Sequence, residues 1–128
     1  MRVTPFLIVI FATPLLAIPA PAKDAHCSAA KTQVAAMTAK LPIEVDAVTQ
    51  TTAVQASCTA RQVVLKRTVT LKQSRMEADF KDFLQKQDNT FVCTNKDRRA
   101  LVDAGWTWQV GYTFQDGDGV TITASCGG

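Results

Sequence analysis

The chain is poor in the residue types that most enzymes and metal sites need. Of its 128 residues one is histidine, His26, and one is tyrosine, Tyr112. A two-histidine metal site is therefore excluded within one chain, and a Ser-His-Asp or Cys-His pair would have to be built around His26. That residue stands near the start of the chain, where termini fray, so it is expected in solvent. The four cysteines lie roughly thirty or more residues apart, far from the two to four that wrap a structural zinc ion. The formal net charge of +3 is too mild to indicate nucleic acid. No stretch after Ile18 is apolar for the ~18 residues of a membrane span.

The N-terminus reads as a cleavable leader. Met1-Arg2 supplies a positive start, Phe6 to Ile18 an apolar stretch interrupted by Pro14, and Ala20-Pro21-Ala22 the small residues of a cleavage site. Residues 1–22 are therefore expected to be a signal peptide, and residues 23–128 one α+β domain, periplasmic or secreted. Lipidation at Cys27 is a competing reading, but Asp24-Ala25-His26 before it lacks the small or aliphatic neighbours that this chemistry wants. Export places Cys27, Cys58, Cys93 and Cys126 in an oxidising compartment, where two disulfides are expected.

Periodicity then orders the domain. Cys27, Ala30, Val34, Met37 and Leu41 recur at helical spacing over 24–41, and Pro42 ends that helix. An extended segment over 45–58 puts Val48, Val54, Ala56 and Cys58 on one parity. A cleaner strand over 61–72 turns Val63, Leu65, Val69 and Leu71 one way and Lys66, Thr68, Thr70 and Lys72 the other, with Val64 and Arg67 as exceptions. Ser74 and Glu77 form a capping box for a helix to about Gln87, with a core stripe of Met76, Phe80, Phe83 and Leu84. A third helix fits 95–104, with Thr94 as its cap, Leu101 and Ala104 inward, and Gly105 able to take a left-handed backbone at its end. Trp108, Val110, Tyr112 and Phe114 alternate through the clearest strand. Gln115 to Gly119 supplies a hairpin, and Val120, Ile122, Ala124 and Cys126 line a final strand.

The order α-β-β-α-α-β-β predicts an antiparallel sheet of about four strands with helices on one face. Of the three possible connectivities this arrangement favours Cys27–Cys58 and Cys93–Cys126. Each would close a loop of about thirty residues, worth ~3 to 4 kcal/mol.

The C-terminal half, with Cys93-Thr94, Arg98 or Arg99, Leu101, Gly105, Tyr112, Asp118-Gly119, Ile122 and Cys126, resembles a pattern in small exported proteins of Gram-negative bacteria. Leu41-Pro42, Val45-Asp46 and Thr49 or Thr51 precede it in the same pattern. The element order is also loosely similar to that of type II secretion pilotins and small secreted virulence-associated proteins. The resemblance implies an exported α+β protein and supplies no catalytic residue.

Other candidate sites resolve into structural roles. Asp116-Gly117-Asp118-Gly119 opens as a calcium loop does, but Gly127 stands where the closing glutamate is needed, and turn chemistry accounts for all four residues. Glu77, Asp79 and Asp82 sit at a helix start, where acids complement the dipole. Two basic groups remain as a possible partner surface, Lys66, Lys72 and Arg75 around the second strand and Lys96, Arg98 and Arg99 on the third helix, although Asp79, Asp82, Asp97 and Asp103 are interspersed. Trp106, at the entrance of the aromatic strand, is expected to be partly exposed and able to anchor a partner. The sequence thus points to a non-catalytic, exported protein that binds an envelope or secreted protein, with no cofactor, nucleic acid or membrane span. The outer sheet face and the strand edges are its expected contact surfaces. A pilotin-like accessory, an inhibitor or an enzyme of another type are the alternatives.

Overall fold

The computed structural model describes residues 25–127. The expected leader over 1–22 lies outside them. The elements are α1 (Ala25–Thr38), β1 (Ile43–Asp46), β2 (Thr49–Ser57), β3 (Gln62–Val69), a 3-10 turn (Gln73–Arg75), α2 (Phe80–Cys93), α3 (Lys96–Asp103), β4 (Thr107–Thr113) and β5 (Gly119–Thr123). One five-stranded sheet runs in the order β1-β2-β3-β4-β5.

Two details correct the expected four-stranded antiparallel sheet. The segment over 45–58 is two strands, because Asp46 Oδ1 accepts the Val48 N–H at 2.9 Å and turns the chain between β1 and β2. Secondly, β3 and β4 run parallel, since α2 and α3 carry the chain back across the sheet between them. All other neighbours are antiparallel.

Inward residues of β2 to β5 share one core with the helices. Val63, Leu65, Trp108, Val110 and Ile122 bury against Ala30 of α1, Leu84 and Val92 of α2, and Leu101 of α3, so the helices cover one face. The opposite face, with Lys66, Thr68, Thr113 and Thr121, is open to solvent.

In β2 the inward parity changes midway. Thr51 pairs with Arg67 and Ala53 with Lys66, leaving Thr52 as the extra residue of a bulge. Thr49 and Thr51 face inward before it, Val54 and Ala56 after it.

The second helix departs furthest from expectation. No capping box forms: Asp116 of the β4–β5 hairpin accepts the Gln73 and Ser74 N–H groups, at 3.2 and 3.4 Å, and holds them in the 3-10 turn. The helix therefore starts at Phe80, whose ring meets Phe114 edge-on at 5.8 Å, and runs to Cys93. Its buried stripe is Leu84, Asp88 and Val92, and this phase leaves Phe83 64% exposed instead of in the core.

Asn95, not Thr94, caps α3, its side chain accepting the Arg98 N–H at 2.9 Å. The far end closes as a Schellman motif: Gly105 (φ +95°) donates to Val102 O and Trp106 to Leu101 O. Cys27 is bonded to Cys58 and Cys93 to Cys126, with Cα atoms 5.3 and 5.5 Å apart, tying α1 to the end of β2 and α2 to the end of the β5 segment. Among the described residues no helix is long and apolar enough to cross a membrane.

Candidate functional site

The inner face of the sheet carries a polar rung. Ile43, Thr51, Arg67 and Tyr112 are cross-strand partners in succession, from edge strand β1 to β4. Arg67 is 3% exposed, which requires that its charge be met. Its Nη1 donates to Asp88 Oδ1 and to Tyr112 Oη, each at 2.8 Å, and its Nε donates to Thr51 Oγ1 at 3.1 Å. The Tyr112 hydroxyl bridges both Asp88 oxygens at 2.9 and 2.8 Å. Burial pushes the Asp88 carboxyl above its usual range, against the pull of Tyr112 and Arg67. The Tyr112 hydroxyl is likewise raised, chiefly by burial.

Beside this network a groove of about 520 Å³ lies between α1, β1 and the α2–α3 corner. Arg67 and Leu65 lie at its floor, with Met37, Ile43 and Val45 on one wall and Phe91 and Arg98 on the other. The Phe91 ring has guanidinium groups near it from both arginines, Arg98 at 3.9 Å and Arg67 at 5.5 Å from the ring centre. Arg98 is held there because its Nε donates to the Phe91 carbonyl at 2.9 Å. Burial lowers the Arg98 pKa, and Asp97 beside it acts in the opposite sense. Lys40, Glu44 and Asp97 add charges of both signs around the rim. Such a groove offers apolar contact with a few fixed polar groups.

The basic residues singled out from sequence do not form one patch. Lys66 is exposed on the outer sheet face, across the sheet from α3. Lys72 and Arg75 are exposed beyond the C-terminal end of β3, whereas α3 leads into β4 at the end where Thr107 pairs with Gln62, the first residue of β3. On α3, Lys96 is exposed, and Arg99 pairs with Asp103 at 3.6 Å. Arg98 is the one that lines the groove. Trp106, at 2% exposure, lies in the core and presents no ring at the surface. His26 is exposed on the first turn of α1, and Glu77, Asp79 and Asp82 are exposed at the start of α2. No group of three or more metal-ligating side chains occurs among the described residues. Arg67, Asp88 and the groove itself were missed from sequence. The available signal was that Arg67, the exception in its strand, shares the parity of Val63, Leu65 and Val69.

Neither a protein-family model nor a curated protein matches this chain. Solved structures do. A Pseudomonas aeruginosa protein regarded as secreted superposes with a TM-score of 0.65 at 16% identity, covering 82% of this chain and 94% of its own. The type II secretion pilotin EpsS of Vibrio vulnificus gives 0.61 at 14% identity, covering 77% and 84%. The pilotin AspS of Vibrio cholerae gives 0.57 at 17% identity, covering 77% and 85%. At these identities the likeness is one of fold.

Proposed function

We propose that this is an exported, non-catalytic protein that works by binding another protein of the cell envelope or the secreted milieu, and that the groove beside Arg67 is its contact site. In this reading residues 1–22 are a signal peptide and 23–128 the mature domain. The observation that carries it is the groove: apolar walls of Met37, Ile43, Val45 and Phe91 around the held side chains of Arg67 and Arg98. Rigid polar groups in an apolar cleft give a partner segment both burial and orientation. Cross-linked co-purification of the tagged protein from its host envelope tests it. Ala36→Trp introduces a large ring at an exposed position on the groove wall without touching the core. A partner captured by the wild type and lost with Ala36→Trp is the expected result. Equal capture by both would remove the groove from the reading.

A secretion-apparatus accessory of the pilotin kind is the second reading, favoured by the fold shared with EpsS and AspS. The Cys27–Cys58 bridge uses the sulfur that a lipid anchor at Cys27 would need, which weighs against anchoring at that residue. Pilotin-like action predicts that deleting the gene impairs assembly or output of a secretion system; unchanged secretion would dismiss it.

A further inference from the structure

The two arginines of the groove have more donors than the fold uses. A guanidinium carries five N–H groups. In Arg67 the Nε–H goes to Thr51, and Nη1 donates to Asp88 and Tyr112. Its Nη2 meets no acceptor among the described residues, where the side-chain atoms that are both sealed from solvent and without a partner are Gln73 Oε1 and Trp108 Nε1. Nη2 is therefore reached by solvent although Arg67 as a whole is 3% exposed, and the groove is the cavity that Arg67 lines. In Arg98 the Nε–H goes to the Phe91 carbonyl, and the Nη groups meet no acceptor among the described residues. None of their carboxylates is within salt-bridge distance of Arg98, whereas Arg99 next to it pairs with Asp103. Two held cations thus stand at one groove with donors unspent.

Unspent donors on half-buried and buried cations select an anion. The surroundings select which one. Lys40 adds a positive charge to the lining, Glu44 and Asp97 oppose it from exposed positions, and Asp88 holds the far side of Arg67. The cost of desolvating an ion rises with the square of its charge, while its attraction to the arginines rises only in proportion, so between apolar walls a carboxylate is favoured over a phosphate dianion. Met37, Ile43 and Val45 stand on the wall opposite Phe91 and Arg98, so the carboxylate has to arrive on a chain that is apolar around it.

We infer that the partner protein enters the groove with one aspartate or glutamate flanked by apolar side chains, its carboxylate accepting from Arg67 Nη2 with Arg98 as the second cation, and its apolar neighbours against Met37, Ile43 and Val45. This rests on the protein-binding reading and specifies the residue that the partner presents. A hydrogen bond between ions is roughly twice as strong as one between neutral groups, so an amide in place of the carboxylate loses affinity.

The test uses the mature protein and two acetylated, amidated tripeptides, Leu-Glu-Leu and Leu-Gln-Leu, which differ in one charge and carry no terminal carboxylate. Binding is followed by NMR through the Arg67 and Arg98 Nε–H signals, both of which are hydrogen-bonded, and through the Met37 methyl. The glutamate peptide is expected to shift all three and to bind roughly tenfold more tightly than the glutamine peptide. Arg98→Gln, at a half-buried position, should lose most of that preference with unchanged circular dichroism, and Arg98→Lys, which keeps the charge, should retain part of it. The inference is overturned if the two peptides bind equally, if neither moves the arginine signals, or if the preference survives Arg98→Gln in full. Tighter binding of a phosphoserine counterpart would discard the carboxylate, and tighter binding of octanoate would give the donors to a free apolar acid instead of a protein segment. The Ala36→Trp capture experiment does not depend on the partner's charge. A partner lost with Ala36→Trp while the two peptides bind equally would keep the groove reading and remove this inference alone.

Discussion

The two flanks of the sheet follow the same inward alternation and are filled in opposite ways. On the C-terminal flank the inward row of β4 and its extensions, Trp106, Trp108, Val110, Tyr112 and Phe114, is at most 3% exposed, and α2 side chains close the β5 edge. On the N-terminal flank the inward positions include Thr49, Thr51 and Arg67, the β1 edge is unpaired among the described residues, and a groove of about 520 Å³ lies over Thr51 and Arg67. Alternation decides which face meets the helices. Whether the helices fill that face depends on where they cross it, and α1 and the α2–α3 corner leave the Arg67 rung between them.

The Arg67–Asp88–Tyr112 network joins the flanks, and breaking it should have the largest effect. Arg67→Met leaves a buried carboxylate without its cation and is expected to cost about 3 to 5 kcal/mol in chemical denaturation. Adding Asp88→Leu should restore much of that loss, because the uncompensated charge is then gone. Equal stability of the single and double variants would show that the pair is not coupled. The bridges come next. They span 31 and 33 residues, so Cys27→Ser/Cys58→Ser and Cys93→Ser/Cys126→Ser should each cost ~3 to 4 kcal/mol if chain entropy governs both flanks. A much larger loss from the first pair would mean that the open flank depends more on its bridge than the packed one.

A smaller effect concerns pH. Burial raises the Asp88 carboxyl above its usual 3.8, so between the usual and the raised value the native protein retains a proton that the unfolded chain has released. Stability from this group is then full below the usual value and falls as pH rises through the raised one. Comparing the pH slopes of wild type and Asp88→Asn should isolate that fall; identical slopes would contradict it. The smallest effect is expected at Phe83 on the outer surface of α2, where Phe83→Ser should change stability by no more than about 0.5 kcal/mol. A loss several times larger would show that this ring packs more than its exposure indicates.

The sequence was most readable where one kind of residue filled a whole face. The α1 stripe from Cys27 to Met37, the β4 row and the β4–β5 hairpin all stand where periodicity and turn residues put them. Reading failed where a polar group occupied a core position. Asp88 interrupts the apolar stripe of α2, so the helix reads as ending near Gln87 although it continues to Cys93. Arg67 looks like an error in the β3 pattern because its partner Asp88 lies twenty-one residues away and on another element. The Thr52 bulge reverses parity within β2, and nothing local in a threonine-rich strand marks the reversal. Of the candidate surface residues, Arg98 reached the groove, while Trp106 went into the core as the closing residue of the α3 cap.

By itself the sequence determined the alternation of helix and strand, the inward face of β3 to β5 and the cysteine positions that two bridges need. These depend on neighbours in the chain, through backbone geometry, side-chain period and turn conformation. Only the tertiary structure decided the parallel β3–β4 pair, the start of α2, the burial of Arg67 against Asp88, and the contrast between a closed and an open edge. Each of those depends on groups brought together from distant parts of the chain: Asp116 on Gln73 and Ser74, Gln85 on Thr123, and α1 facing α3 across the rung of Arg67.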